Sequence, residues 1–383
     1  MSATADPSIA TEAAAIGRRA ESELEQLVGI SSPSGDSDGA ERSLALCAEL
    51  LPHGARIERP ACSTQGSAPD LLAKLAGRGH RRLMLLGHVD TVIGHAAHQP
   101  LRPEGERLYG TGAADMKGGV ILSLGVARAL AAAPEAFAEL AVLLVCDEEW
   151  RTAPFVHAGR AGPFSGYDAC LCFEAGERAQ GGGEGVVVRR KAAGTLRVTA
   201  SGRASHSGSA PDRGRNALLA LAKTAQAVAA LHDPGGPEQL SAVPTVIRSG
   251  EAFNIVPAAG ELIFDLRARS LPAFDTALAA VASELDGVTL HARMDRRWPG
   301  MDSQAATATL IERASARLGR PIAGVPRGGA SDASHFADTI ALTVDGLGPR
   351  GGGAHTPEEF VLRESLRERA EVALALARQV LEA

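Results

Sequence analysis

Two imidazoles and five carboxylates fall in an order that could build a metal centre: His88, Asp90, Asp115, Glu148, Glu149, Glu174 and, far downstream, His355. Nitrogen and oxygen donors without thiolate suit zinc, cobalt or manganese. Two histidines with three carboxylates are more than one tetrahedral ion can use. They suffice for two ions about 3.5 Å apart, if one carboxylate bridges the pair and each ion keeps two terminal ligands. Glu148 adjoins a candidate ligand and so is badly placed to bind the same ion. A carboxylate there can instead take a proton from water and return it to a leaving amine. The chemistry these residue types point to is metal-assisted hydrolysis.

Elements that could bring them together are visible in the hydropathy pattern. His88, Glu149 and Glu174 follow the short apolar runs 83–86, 141–146 and 169–173, which read as buried strands of a largely parallel sheet. In an open α/β sheet, ligands bind outside the carboxyl ends of the strands, so the three runs deliver their polar residues to one edge. The runs alternate with helical patterns such as the Ala- and Leu-rich stretch 118–133, as crossover helices require.

Near Val188 the texture changes to strand 194–201, helix 216–231, strands 242–248 and 260–269, helix 272–285 and strand 288–294. This βαββαβ order predicts a small inserted unit with one exposed sheet face. Within it, Leu262, Phe264 and Leu266 alternate with Ile263, Asp265 and Arg267, so one face is packed and the other partly polar. After Trp298-Pro299-Gly300 the first pattern resumes with helix 305–318 and strand 340–344, and His355 lies in the Gly-rich loop beyond. The expected fold is therefore α/β. A doubly wound, largely parallel catalytic domain (1–189 and 302–383) carries an inserted ferredoxin-like unit (190–301).

The 383 residues are 45% hydrophobic and 22% charged, with net charge -6, enough for two domains and without the basic field that a nucleic acid needs. No secretory n- and h-region opens the chain and no run approaches about 18 apolar residues, so the reading is a cytoplasmic protein with no membrane partner. Cys47, Cys62, Cys146, Cys170 and Cys172 match no thiolate zinc spacing and read as small buried hydrophobes in a reducing compartment. His53, His80, His95, His98, His157, His232 and His291 read as surface or loop residues, and His335 as packing.

The segments LLGHVDTV, GTGAADMKGG, CDEEW, CFEAG, GRASHSG, FNIVP and GGGAHTPEE, in order from about Gly87 onward, resemble those of the co-catalytic zinc hydrolases. That family includes glutamate carboxypeptidase, acetylornithine deacetylase, succinyl-diaminopimelate desuccinylase and aminoacylase, and the look is nearest to the carboxypeptidase branch. The resemblance implies two zinc ions, with cobalt or manganese as substitutes. Asp115 would bridge them, His88 and Glu174 would hold one, and Glu149 and His355 the other. Asp90 would orient the His88 ring through its second nitrogen. Glu148 would be the general base, and a cis peptide would follow Asp115.

The same resemblance makes His206 an oxyanion donor reaching the partner subunit's site, which implies a homodimer paired through the inserted unit. Asn254 and Arg267 match substrate-contacting positions, and Gly329 lies in a Gly-rich loop, PRGGASDASHF, that would approach the substrate backbone. For Arg267 the residues alone leave two readings open, a fork for a substrate carboxylate or a partner of Asp265. The implied substrate is a small molecule cleaved at an amide or peptide bond beside a free α-carboxylate, with N-acyl-amino-acid deacylation as the alternative. A binding module of the same fold would show a lost ligand or base, and none is lost. Trp150 and Ala175 depart from the family pattern, where relatives place a small or flexible residue and a proline, which leaves the substrate open.

Overall fold

The computed structural model describes residues 6–382. The chain forms two compact units. One takes in the described residues up to Arg189, together with Asp302–Arg327 and the chain from Ser331 on; the other takes in Arg190–Met301 and Gly328–Ala330.

The first unit is built on a six-stranded sheet in the order Arg56–Glu58, Leu71–Ala76, Glu139–Val145, Arg82–His88, Ala169–Cys172, Leu342–Val344. The last four strands run parallel, and Leu71–Ala76 is antiparallel to both neighbours. Leu83, Leu85, Leu86, Val142, Leu143, Val145 and Leu171 are fully buried, as strands covered on both faces must be. Each such side chain contributes roughly 1.5–3 kcal/mol of burial. Strands from both ends of the chain share the sheet.

Register places the functional edge. His88 pairs with Val145 and Leu86 with Cys172, so the three central strands end within two residues of one another. The helix Gly118–Ala131 is buried along most of its length and packs on Arg82–His88, Pro7–Val28 and Arg363–Leu381. A Cβ at Gly119 would lie 1.7 Å from the carbonyl oxygen of Phe173. Glycine there lets the start of this helix lie directly on the strand end that precedes Glu174.

The second unit holds five antiparallel strands in the order Ser241–Ser249, Ala259–Ala268, Ala192–Ser201, Val288–Trp298, Glu284–Leu285. Its helices Ala217–Ala229 and Pro272–Ala279 share one core with Leu196, Val198, Leu262, Phe264, Leu266 and Leu290. The intervening register positions carry the Arg197, Glu261 and Asp295 ion pairs, so the sheet is packed on one face and charged on the other. The second helix is shorter than the expected 272–285. Asp286 and Gly287 both adopt positive φ, 52° and 72°, a two-residue hairpin loop that draws Glu284–Leu285 into pairing with Val288 and Thr289.

Candidate metal centre

Asp115 stands between the two histidines. Its Oδ1 lies 3.3 Å from His88 Nε2 and its Oδ2 lies 3.2 Å from His355 Nε2. Glu174 Oε1 is 3.7 Å from His88 Nε2, and Glu149 Oε1 is 3.2 Å from His355 Nε2. One carboxylate thus faces two imidazoles through different oxygens, and each imidazole has a further carboxylate beside it. His88, Asp115 and Glu149 offer donor atoms within 4.8 Å of one another. His88 closes its strand and Glu174 follows its strand by two residues. Asp115 sits in a single turn, Ala113–Lys117, and the Asp115–Met116 peptide is cis. His355 is held at φ 66°, a left-handed conformation uncommon outside glycine.

Asp90 ties this edge together. Its carbonyl oxygen is 3.1 Å and its carboxylate 3.4 Å from His88 Nδ1. Its carboxylate also accepts from the backbone N–H of Glu148 (3.1 Å) and Glu149 (3.2 Å) and from the Ser34 hydroxyl (2.8 Å). The acidic pair is braced behind by Arg151, fully buried, which donates to Asp147 at 2.8 Å and pairs with Asp332.

Electrostatics fit a cationic occupant. Burial alone would lower the pKa of His88, yet the contacts to Asp115 and Asp90 and the charges of Glu148 and Glu174 hold it well above the ordinary histidine value. Asp115 and Glu149 likewise push His355 up to about 10. Burial, with Glu149 and Asp115 opposing a further negative charge, pushes Glu148 up to about 8. Burial and Asp115 raise Glu174 as well. His88 Nε2 is buried with no hydrogen-bond partner of its own. A cluster of carboxylates around two imidazoles, one with a buried Nε2 that makes no hydrogen bond, is suited to divalent cations.

The remaining site residues lie in the second unit. His206 is exposed, and its Nδ1 accepts from the N–H groups of Gly208 and Ser209 at 3.1 and 3.2 Å, so the proton of the neutral ring sits on Nε2. Asn254 is its neighbour, for the Ser207 N–H donates to the Asn254 carbonyl at 3.0 Å and His206 bridges to Ile255. Arg267 is paired with Asp265 through two 3.0 Å bonds on its own strand. The Gly329 carbonyl accepts from Arg190 at 2.8 Å.

Glu359 has no role in the sequence reading, yet its carboxylate accepts from the backbone N–H of Gly112 (2.7 Å), Ala114 (2.8 Å) and Asp115 (2.8 Å). Four residues after His355, it fastens the loop of one candidate ligand to the turn of another. Lys117 is also buried, donating to the Ile30 carbonyl at 2.6 Å, and burial pushes its amine down to about 7. His157, expected at the surface or in a loop, lies in a turn but is 4% exposed and 2.7 Å from Asp70, a buried partner rather than a surface residue. Trp150 is 47% exposed beside Glu149, with its ring over Gly35, whose positive φ of 87° and lack of Cβ make the room.

Comparisons with known proteins place the chain among related sequences and folds. The model described as Peptidase family M20/M25/M40 matches residues 84–379. Carboxypeptidase G2 of Pseudomonas sp. (strain RS-16) is 28% identical over 362 residues, covering 88% of this chain and 83% of that protein. Succinyl-diaminopimelate desuccinylase of Halorhodospira halophila (strain DSM 244 / SL1) is 29% identical over 309 residues, 75% of this chain and 80% of that one. Among solved structures, an aminopeptidase from Bacillus cereus ATCC 10987 superposes with a TM-score of 0.74 at 19% identity, covering 95% and 98% of the two chains, a likeness of fold.

Proposed function

The chain belongs to peptidase family M20/M25/M40 and is a metallo-hydrolase, and from that premise we propose that it cleaves an amide or peptide bond beside a free α-carboxylate, with two zinc ions per subunit. The observation that carries the proposal is Asp115, whose two oxygens each face a different imidazole. In this reading Asp115 would be shared by the two ions, His88 and Glu174 would hold one, and Glu149 and His355 would hold the other. When bound, the pair would polarise the scissile carbonyl and acidify the attacking water.

The protein's own groups then divide the work. Glu148, buried beside the candidate ligands, is placed to take a proton from water and return it to the departing amine. Asp90 holds the His88 ring and the Glu148–Glu149 backbone in one frame. His206, with its Nδ1 already engaged, is proposed to present Nε2–H to the oxyanion in the partner subunit of a cytoplasmic homodimer paired through the second unit. Asn254 and Arg267 are proposed to contact the substrate carboxylate, which would compete with Asp265 for the guanidinium, and Gly329 to approach the substrate backbone.

The carboxypeptidase reading is supported by the likeness to carboxypeptidase G2. N-acyl-amino-acid deacylation is the second reading, supported by the desuccinylase relative. Amine release from zinc-loaded protein, measured across N-acyl amino acids and dipeptides, separates them. Turnover confined to substrates with a free α-carboxylate is expected, and equal turnover of their carboxamides would overturn the proposal.

A further inference from the structure

A second group of donors lies in the first unit apart from the residues assigned above. Cys62, Asp70 and Cys146 offer a sulfur, a carboxylate oxygen and a sulfur that all stand within 4.8 Å of one another. Cys146 Sγ is 3.5 Å from Asp70 Oδ1, and the Cys146 N–H donates to that oxygen at 3.1 Å. Behind them, His157 Nε2 is 2.7 Å from Asp70 Oδ2. Asp70 is fully buried, with Cys146 and His157 at 3% and 4% exposure, while Cys62 is half-buried and opens the group to solvent.

We propose that Cys62, Cys146 and Asp70 form a thiolate site for a thiophilic divalent cation, zinc being the natural occupant, with His157 fixing the Asp70 carboxylate from behind. Zn–S bonds of about 2.3 Å and Zn–O bonds of about 2.0–2.2 Å place tetrahedral donors roughly 3.5–3.8 Å apart. The Cys146–Asp70 separation already has that value. Ligating carboxylates are themselves hydrogen-bonded by outer groups that fix their orientation, and His157 stands in that place. Three protein donors leave the fourth corner to water on the Cys62 side. Two thiols must lose their protons as the cation enters, so binding releases two protons and strengthens with rising pH.

The position gives such a site a consequence. Cys146 precedes Asp147, whose carboxylate accepts from the Thr64 N–H (2.9 Å) and hydroxyl (2.7 Å), and Glu148 and Glu149 follow. A cation joining Cys62 to Cys146 would brace the 59–70 loop against the strand end that carries the acidic pair.

The test uses the full-length, zinc-loaded protein titrated with cadmium ion, whose thiolate complexes absorb in the ultraviolet by charge transfer. One equivalent is expected to develop this absorbance, and Cys62→Ser is expected to lose at least half of it. Cys47→Ser, altering a buried thiol outside the group, should keep the full signal. Absence of charge-transfer absorbance in the parent protein, or an undiminished signal in Cys62→Ser, overturns the proposal. Cys62 is half-buried, so its serine variant folds in either case, and Cys146→Ser serves as a second check. The readout does not depend on turnover, so its outcome is separate from that of the hydrolase reading.

Discussion

Among single residues, Asp115 is proposed to be shared by both ions and Glu148 to move the proton. Glu148→Gln is expected to keep metal content near that of the parent while turnover falls at least about 100-fold, the usual scale for a lost general base. Retained turnover in that variant would move the base elsewhere. Asp115→Ala should instead lose metal, measured by elemental analysis after dialysis, because both imidazoles face this one side chain. The residues brought together here were legible in the sequence for a simple reason. His88, Glu149 and Glu174 each terminate an apolar run, and polar groups at strand ends have few structural excuses for clustering. Glu359 was not legible, because a carboxylate that serves backbone N–H groups leaves no side-chain pattern to read. Arg267 shows the limit in the other direction, since its type and place suited both Asp265 and a substrate, and in this structure it holds Asp265.

At the scale of elements, the strand Glu184–Arg190 and the helix Arg363–Leu381 are joined by a buried charge cluster. Glu184 accepts from Arg369 at 2.8 Å and from Arg350 at 2.9 Å, with Arg320 at 3.4 Å. Arg369 is fully buried, so Glu184→Gln strands its charge and should cost about 3–5 kcal/mol in denaturant unfolding. Burial raises the Glu184 pKa, but the three guanidinium groups outweigh it and hold the carboxyl below its ordinary 4.5. A depressed carboxyl stabilises the fold above that value and loses the contribution as pH falls through the folded pKa. The margin of the parent over Glu184→Gln should therefore be constant above about pH 4.5 and shrink below it, as unfolding curves across that range would read. A margin that grows with acid would contradict the assignment. Strand and helix alternation was plain from hydropathy, whereas the end of the helix Pro272–Ala279 was not. Its apolar pattern continues to Leu285, and only the Asp286-Gly287 hairpin marks where pairing with Val288 takes over.

At the scale of the molecule, two units divide the labour in the proposed mechanism, one carrying the candidate metal centre and the other His206, Asn254 and Gly329. No helix among the described residues is long and apolar enough to cross a membrane. If His206 acts across a dimer, mixing Glu148→Gln chains with His206→Ala chains should regenerate activity. One site in each mixed dimer then has an intact Glu148 and the other chain's intact His206. A single oxyanion donor is worth about 3 kcal/mol, or roughly two orders of magnitude in rate, well above assay noise. Demonstrated subunit exchange without recovered activity would place His206 in its own chain's site or outside the chemistry. A pair of ions sharing Asp115 can be counted by stripping the Cys62→Ser protein of metal and returning zinc in measured equivalents, with bound metal and hydrolysis followed together. Activity is expected to climb until two zinc ions are bound per chain and to be absent without them. Full activity with a single tightly bound ion, or undiminished hydrolysis after stripping, would contradict it.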